Sequence, residues 1–200
     1  MPLTNLNTNM VYETRILGYS YDEYIKIVRQ FHGYEAPGVI IGGFMVDAAI
    51  RNLPEGILYD AISETRSCLP DAIQVLTPCT IGNGWLKIIH NGRFALTLYD
   101  KESYEGVRVF LDAEKVEAWQ AIKAWYFKLK TKKKQDREEI AREIKEAGDS
   151  ILSVQYVRIH PQLTEKKHKG NIAVCPLCRE AYPVDDGKTC LACQGNTLYE

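Results

Sequence analysis

The segment WLKIIHNGRFALTLYDKESYEGVRVFLD, residues 85–112, carries the strand and turn signals that decide the fold. Two runs rich in β-branched and aromatic residues flank Asn91-Gly92, a dipeptide that favours the type I′ turn of a tight hairpin. The pattern predicts a hairpin between WLKIIH and RFALTLYD, the runs on either side of this turn. GVRVFLD, at the end of the segment, is then a third strand of the same antiparallel sheet.

Helical patterns surround this segment, because apolar residues recur at helical spacing before and after it. Further strands are predicted over ILYDAISET (57–65) and ILSVQYVRI (151–159). The chain is therefore predicted to be an α+β protein, with a mixed core of helices and an antiparallel hairpin sheet. The predicted helices are one from the capping box Ser20–Glu23 to Gly33, one over VIIGGFMVDAAIRNL (39–53) with close packing at Gly42 and Gly43, a short one from Pro70 to Thr77, a long one that starts at Asp112 and carries Trp119, Ile122, Tyr126 and Leu129 on one face, and one over DREEIAREIKEA (136–147).

The composition is that of a globular protein without a dominant charge. A net charge of −1 over 200 residues argues against chain-wide electrostatic binding to nucleic acid or membranes, and 46% hydrophobic residues suffice for a packed core. No apolar run is long enough to cross a membrane, and the N-terminal residues lack the pattern of a signal peptide. Six cysteines without a secretory signal indicate metal or redox use in a reducing cytoplasm, which is the expected location.

The strongest motif is CPLCREAYPVDDGKTCLACQG, residues 175–195. Two C-x-x-C pairs, Cys175 with Cys178 and Cys190 with Cys193, are separated by eleven residues. Two such turns place four thiolates at the corners of a tetrahedron, which is the geometry that Zn²⁺ accepts from sulfur ligands. Four protein ligands leave no open position, so the predicted zinc ion is structural and not catalytic.

The domain organisation follows from this motif. The core domain is predicted over residues 1–165, and a small Cys₄ zinc ribbon over residues 166–200. The polar, basic segment TEKKHKGN (164–171) is the predicted linker between them. A unit as short as the zinc ribbon, with little apolar content, needs its metal to fold.

Two cysteines remain, Cys68 and Cys79, at either end of the predicted short helix in SCLPDAIQVLTPCTIGNG (67–84). A helix of about ten residues is about 15 Å long, whereas the Cα atoms of a disulfide lie within about 7 Å. An intact helix therefore excludes a disulfide, and a shared metal requires the chain to fold back after Pro78. The residues alone leave two interpretations open: buried packing cysteines, or parts of a site that forms on folding.

Three motifs resemble the E-subunit family of formylmethanofuran dehydrogenase, including its bacterial relatives. They are HGYEAPG (32–38), CLPDAIQVLTPCTIGNGWL (68–86) and GVRV (106–109), and their order and spacing match that family, as does a terminal zinc finger. The resemblance implies a compact α+β core, commonly dimeric, with a cleft proposed to hold a metal. It also implies an accessory or metal-handling role in one-carbon or molybdenum- or tungsten-linked redox metabolism, with a dehydrogenase as the partner.

The resemblance further implies a candidate metal site in the core. The motif histidine falls on His32 and the two cysteines on Cys68 and Cys79, which would bind Zn²⁺ or another transition metal through one imidazole and two thiolates. Tyr34 and Ala36 stand where the family usually has a second histidine and a cysteine, so one coordination position is left for water or substrate. The residues that would line the site are Tyr34, Asp71, Gln74 and Thr80.

Two other functions are consistent with the residues. The basic run KLKTKKK (128–134), together with the basic linker, would suit a nucleic-acid-binding regulator, although acidic residues follow it directly. A stand-alone metalloenzyme that uses the core site is the other alternative. A homodimer is expected in each case, because the predicted long helix is apolar around much of its circumference.

Overall fold

The structure is a computed structural model that describes residues 14–164, 170–197 and 199. The chain divides into two units between Ile159 and His160. The predicted domain boundary after residue 165 and most of the predicted basic linker lie outside the described residues, so both stay predictions.

The first unit is built around one mixed sheet. Its strands are β1 (Arg15–Ile16), β2 (Tyr19–Ser20), β3 (Tyr59–Ser63), β4 (Leu86–Ile88), β5 (Ala95–Asp100), β6 (Glu105–Leu111) and β7 (Leu152–Arg158). The sheet has the order β4-β3-β5-β6-β7, while β1 and β2 pair only with each other. The β3–β4 pair is parallel and the other neighbours in the sheet are antiparallel.

The described part of this unit has five helices, of which the second and third pack against the sheet. They are α1 (Tyr21–His32), α2 (Pro37–Asn52), α3 (Leu69–Leu76), α4 (Gln120–Tyr126) and α5 (Arg137–Ala147). The central helix is α2, which is buried along most of its length and packs against β5, β6, α1, α3 and α5. The hydrophobic core therefore lies between α2 and the sheet, and the predicted α+β class is confirmed.

The predicted capping box fixes the start of α1. The Ser20 hydroxyl accepts a hydrogen bond from the Glu23 backbone N–H, and the Glu23 carboxylate accepts one from the Ser20 N–H at 2.8 Å. The helix ends at Gly33, whose φ of +91° is available to glycine at little cost. His32 is therefore the last residue of α1, and its side chain faces α3.

The two glycines in the middle of α2 permit the close packing that their position predicts. A Cβ atom on Gly42 would lie 2.6 Å from the Ala72 Cβ of α3, and one on Gly43 would lie 2.5 Å from the ring of Tyr24. The Tyr24 hydroxyl donates to the Val39 carbonyl at 2.8 Å. These contacts hold α1 and α3 against α2, and the residues of the core site lie at the ends of these helices.

The predicted hairpin at Asn91-Gly92 is wrong. Strand β3 lies between β4 and β5, pairing parallel with the first and antiparallel with the second. After β4 the chain stays bonded to the end of β3, since Ile89 N–H donates to the Ser63 carbonyl and Asn91 N–H to the Glu64 carbonyl. The positive φ of Gly92 therefore belongs to a wider loop that crosses over β3. Pairing with β3 has overridden the local turn preference of Asn91-Gly92. The antiparallel strands that a short turn connects are instead β5 and β6.

The predicted long helix from Asp112 is also wrong. A short 3₁₀ turn over Lys115–Ala118 is followed by an extended Trp119 and then by α4. The Glu143 carboxylate of α5 accepts hydrogen bonds from the first N–H groups of α4, at 2.9 and 3.0 Å, so a new helix start is stabilised there. The predicted apolar face is only partly buried, because Ile122 is inaccessible while Leu129 is 63% exposed.

The second unit is small and contains one antiparallel pair of strands, β8 (Ile172–Val174) and β9 (Ala181–Pro183). The first C-x-x-C pair lies in the turn between these strands. In the second pair, Cys193 lies on a 3₁₀ turn over Ala192–Gln194, and Cys190 lies just before this turn. Across the described part of both units, no helix is long and apolar enough to span a membrane.

Candidate metal centres

The four C-terminal cysteines converge on one point. Their Sγ atoms all lie within 4.8 Å of one another, and Cys178 Sγ is 3.6 Å from Cys190 Sγ. Tetrahedral zinc with Zn–S bonds of about 2.3 Å requires sulfur atoms about 3.8 Å apart. The cluster therefore has the geometry of a closed Cys₄ zinc site, and the predicted ligands are the residues that come together.

Local backbone geometry builds each half of this site. Arg179 adopts a φ of +70°, which turns the chain back after Cys178, and its N–H donates to the Cys175 carbonyl at 2.9 Å. On the other half, the Gln194 side chain donates to the Asp186 carbonyl at 2.7 Å. The Tyr182 hydroxyl donates to the Gly187 carbonyl at 3.0 Å, which closes the loop between the two C-x-x-C pairs.

The shifted pKa values of thiols in this cluster favour the binding of a cation. Backbone N–H groups of Cys178 and Cys190 point at the Cys175 sulfur and lower the pKa of that thiol to about 6. The neighbouring sulfurs have the opposite effect on Cys193, mainly through Cys190, and raise its pKa to about 12. Four adjacent thiols therefore cannot all ionise by themselves, and a divalent ion that replaces their protons removes this repulsion.

In the core, His32 is paired with a carboxylate. Its Nδ1 lies 2.6 Å from Asp71 Oδ2, which belongs to the first turn of α3. With an ionised carboxylate as partner, Nδ1 carries the proton, so a neutral ring presents the lone pair of Nε2. The Tyr34 ring lies 5.0 Å from the imidazole ring, between centroids. Two of the four predicted lining residues, Tyr34 and Asp71, thus lie at His32.

Cys68 occupies a strained position at the start of α3. Its φ of +60° and ψ of −53° place it at the centre of a γ-turn, in which the Leu69 N–H donates to the Ser67 carbonyl at 2.6 Å. Such backbone strain persists only where surrounding structure enforces it, often at functional sites. Gly38 of α2 provides the room, because a Cβ atom there would lie 2.8 Å from the Cys68 Cβ and 3.1 Å from its Sγ.

The environment of the Cys68 thiol favours its neutral form. Burial and then the charge of Asp71 raise the pKa of this thiol, whereas Lys132 lowers it. Cys68 as a whole is half-buried.

Cys79 has different surroundings. It is fully buried after the end of α3, and its thiol donates to the Tyr59 carbonyl at 3.6 Å. Burial raises the pKa of this thiol to about 11. Both core cysteines are free, in keeping with the helix that separates them. Among the described residues, only the C-terminal cysteines bring three or more His, Cys, Asp or Glu ligand atoms within 4.8 Å, so His32, Cys68 and Cys79 are not gathered in this structure and their joint metal site stays a prediction.

The other two predicted lining residues organise the loop after α3. The Gln74 side chain accepts a hydrogen bond from the Ile81 N–H at 3.1 Å. Thr80 and Asn83 exchange side chain-to-backbone bonds, both at 3.1 Å. Gln74 and Thr80 therefore hold the Cys79 segment in place, and neither is seen in contact with His32.

Glu64 was not among the predicted site residues, yet it anchors the loop that leads to Cys68. Its carboxylate is nearly inaccessible and binds the Nε atoms of Arg108 and Arg93, each at 2.6 Å. Burial alone would raise the pKa of Glu64, but the hydrogen bond and charge of Arg108, with the charge of Arg93, bring it below its usual range. Charged residues that interrupt the apolar strands ILYDAIS and GVRVFL were the available clue.

Family models match both units of this chain. The model described as "FmdE, Molybdenum formylmethanofuran dehydrogenase operon" matches residues 31–159, which is more than half of the chain, and the "FmdE treble clef zinc finger" model matches residues 166–200. The chain belongs to the FmdE family. The zinc-finger model thus covers the C-terminal unit, and the resemblance of the sequence motifs is confirmed.

Two relatives place the FmdE chain among known proteins. It is similar to the crystal structure of a tungsten formylmethanofuran dehydrogenase FmdE-like protein from Syntrophus aciditrophicus, with 58% identity, a TM-score of 0.86, and coverage of 94% of this chain and 99% of that one. A probable S-adenosyl-L-methionine-binding protein of Archaeoglobus fulgidus is 30% identical over 197 residues, covering 84% of this chain and 51% of the relative. The chain therefore spans about half the length of that relative.

Family membership and the cysteine cluster together define the coarse function. This FmdE protein is a metal-binding protein with a structural zinc site in its C-terminal unit.

Proposed function

We propose that this FmdE protein binds a second metal ion in its core and serves as an accessory, metal-handling component of molybdenum- or tungsten-linked one-carbon redox metabolism. The observation that best supports a core site is the 2.6 Å contact between His32 Nδ1 and the Asp71 carboxylate. Asp71 is the third residue of α3, the helix that directly follows Cys68. A histidine bound to a carboxylate through one nitrogen is the usual arrangement of a metal-binding imidazole.

The residues present fit a transition metal ion. His32 Nε2 and Cys68 Sγ are a nitrogen and a sulfur donor, which suit zinc and related metals. Asp71 orients the imidazole, while Gly38 leaves space for the Cys68 thiol. When bound, such an ion would supply an open coordination position for water or a small ligand. Cys79 joins as a third ligand only if its thiol leaves the Tyr59 carbonyl.

Metal content per chain tests this site. Full-length protein supplied with Zn²⁺ is expected to hold two ions, whereas Cys68→Ser and His32→Gln variants hold one. Cys175→Ser is the matched control, since it removes the C-terminal ion and leaves the core ion. Cys79→Ser decides whether that thiol is a ligand. A wild-type stoichiometry of one, unchanged by Cys68→Ser, would contradict a metal in the core.

The metabolic role is supported by family membership and by the description of the similar structure, both of which name formylmethanofuran dehydrogenase. We infer that a dehydrogenase of this class is the partner and the cytoplasm the location. In a deletion strain, activity of the molybdenum or tungsten dehydrogenase should fall and return with the wild-type gene but not with Cys68→Ser. Unchanged dehydrogenase activity in the deletion strain would contradict the role.

Binding of S-adenosyl-L-methionine is not part of this proposal. That ligand is named for a relative of which this chain covers half, so the other half of the relative could account for it.

We also propose a homodimer of the core. Support comes from large apolar side chains left exposed after α4, Phe127 at 44% and Leu129 at 63%. Light scattering should show a dimer for the wild type and a monomer for a Phe127→Glu/Leu129→Glu variant. Leu58→Glu changes another exposed leucine and serves as the control. A wild-type monomer at micromolar concentration would contradict this proposal.

A further inference from the structure

A cavity of about 570 Å³ lies where the sheet extends past the end of α2. Its residues come from the C-terminus of α2 and the segment after it, from the β5–β6 turn, and from the ends of β6 and β7. The volume falls within the range of about 300–1,000 Å³ that is typical of small-molecule sites. No residue of either candidate metal centre lines this cavity.

The inner wall of the cavity is apolar. Leu53 and Ile57 lie on one side, and Val107 of β6 lies on the other. Val107 is fully buried, whereas Leu53 and Ile57 are half-buried. A ligand body that fills this part must therefore be compact and apolar or aromatic.

The mouth of the cavity is polar and carries an excess of negative charge. Glu105 and Arg158 are paired directly across β6 and β7, so their charges offset each other. Asp100 adds a further negative charge, and the carbonyl end of α2 adds a partial one. Lys101, next to Asp100 in the chain, is engaged elsewhere by Asp60 at 3.0 Å and by the Trp85 ring.

An aromatic side chain stands beside these charges. Tyr156 is 75% exposed, and its hydroxyl donates to Asn52 Oδ1 at 3.3 Å, which tethers the ring at the mouth. A tyrosine face next to a carboxylate attracts organic cations through its negative π surface.

We propose that this cavity binds a small organic cation, an ammonium group attached to a compact apolar or aromatic body. The ammonium lies at the mouth near Asp100 and Tyr156, and the body lies between Leu53 and Val107. This site is independent of the metal-handling role, because it shares no residue with the ligands of either metal centre.

The test uses 2-phenylethylamine as the probe and 2-phenylethanol as its neutral isostere. Each is titrated by NMR into isotope-labelled, zinc-loaded, full-length protein. The amine is expected to bind in the millimolar range, as small ligands do, and at least about five-fold more tightly than the alcohol. The amide signals of Leu53, Val107 and Val157 should shift on binding.

Two variants test the charge and the aromatic face. Asp100→Asn keeps the acceptor for the turn but removes the charge, and should weaken amine binding about three- to five-fold without affecting the alcohol. Tyr156→Ala should weaken the amine by a similar factor. Asp22→Asn, at a remote and exposed carboxylate, is the control. Equal binding of amine and alcohol, shifts outside the cavity, or no shift at millimolar amine would each overturn the proposal.

Discussion

The two candidate metal centres draw their ligands from very different spans of the chain. The C-terminal cysteines lie within residues 175–193, on two tight turns whose backbone bonds hold the sulfurs within 4.8 Å of one another. The core residues His32, Cys68 and Cys79 lie on separate elements and are not gathered in the same way. One centre is thus built by local backbone geometry, and the other depends on the packing of α1, α2 and α3.

This difference means that the metal has a different relation to folding in each unit. The C-terminal unit has two three-residue strands and few buried side chains, so its fold depends on the bound ion. The first unit has an extensive core of its own around α2, so we expect its fold not to depend on a metal. An ion in the core would therefore affect function more than stability.

The largest expected effect is loss of the C-terminal zinc. Cys175→Ser should abolish the ordered structure of residues 170–197, because binding of structural zinc contributes about 10–16 kcal/mol at neutral pH. Signals of the first unit should persist, since its core is separate. NMR and zinc-release measurements check both points. The Cys68→Ser variant is the control, and its thermal unfolding should match that of the wild type.

Lowering the pH should also release the C-terminal zinc and unfold its unit. Zinc displaces thiol protons, so lowering the pH restores competition from protons and weakens binding. The unit is expected to unfold as zinc is released, and a unit that keeps its fold without zinc would break the contrast between the two centres.

The next largest effect concerns Glu64, the buried carboxylate that anchors the Cys68 loop. Glu64→Gln leaves Arg108 partly buried without its charge partner, and should lower the free energy of unfolding by about 2–4 kcal/mol. The pKa of Glu64 is lowered in the folded state, so its contribution is present at neutral pH and is lost as the pH falls below its usual range, about 4.5.

Denaturant unfolding at pH 7 and near pH 3 checks the Glu64 prediction. The gap between wild type and Glu64→Gln should be large at pH 7 and shrink as the pH falls through the lowered folded-state pKa of Glu64, because the carboxylate then loses its charge. Glu138→Gln, at an exposed position of α5, should show no such pH-dependent gap. If the difference in free energy of unfolding between wild type and Glu64→Gln stays constant with pH, the charge of Glu64 does not contribute to stability.

The same contrast explains how much the sequence predicts. The C-terminal ligands were predictable because C-x-x-C spacing fixes sulfur positions within one turn. The capping box at Ser20 and the close packing at Gly42 and Gly43 were predictable for the same reason, since each depends on residues a few positions apart or on the absence of a side chain.

Features set by distant parts of the chain were missed. The predicted hairpin at Asn91-Gly92 was wrong, because the insertion of β3 between β4 and β5 depends on pairing with residues 25 to 41 positions earlier. The break before α4 depends on Glu143, which caps it from another helix. The resemblance implied that Asp71 lines the site of His32, but the hydrogen bond between these residues, 39 positions apart, was not predicted.

The smallest expected effect tests the dependence of the core centre on packing. Gly38→Ala would place a Cβ atom 2.8 Å from the Cys68 Cβ, so the γ-turn or α3 must shift. We expect a loss of stability of about 1–3 kcal/mol, typical of overpacking in a core, and a lower occupancy of the core metal. The C-terminal zinc should be unaffected, because its ligands are local. Gly82→Ala is the matched control, since the nearest atom to its new Cβ is 3.9 Å away. Equal metal content in both alanine variants would mean that Cys68 does not need its present position to bind a metal, and the distinction between a packed and a locally built centre would then rest on the zinc unit alone.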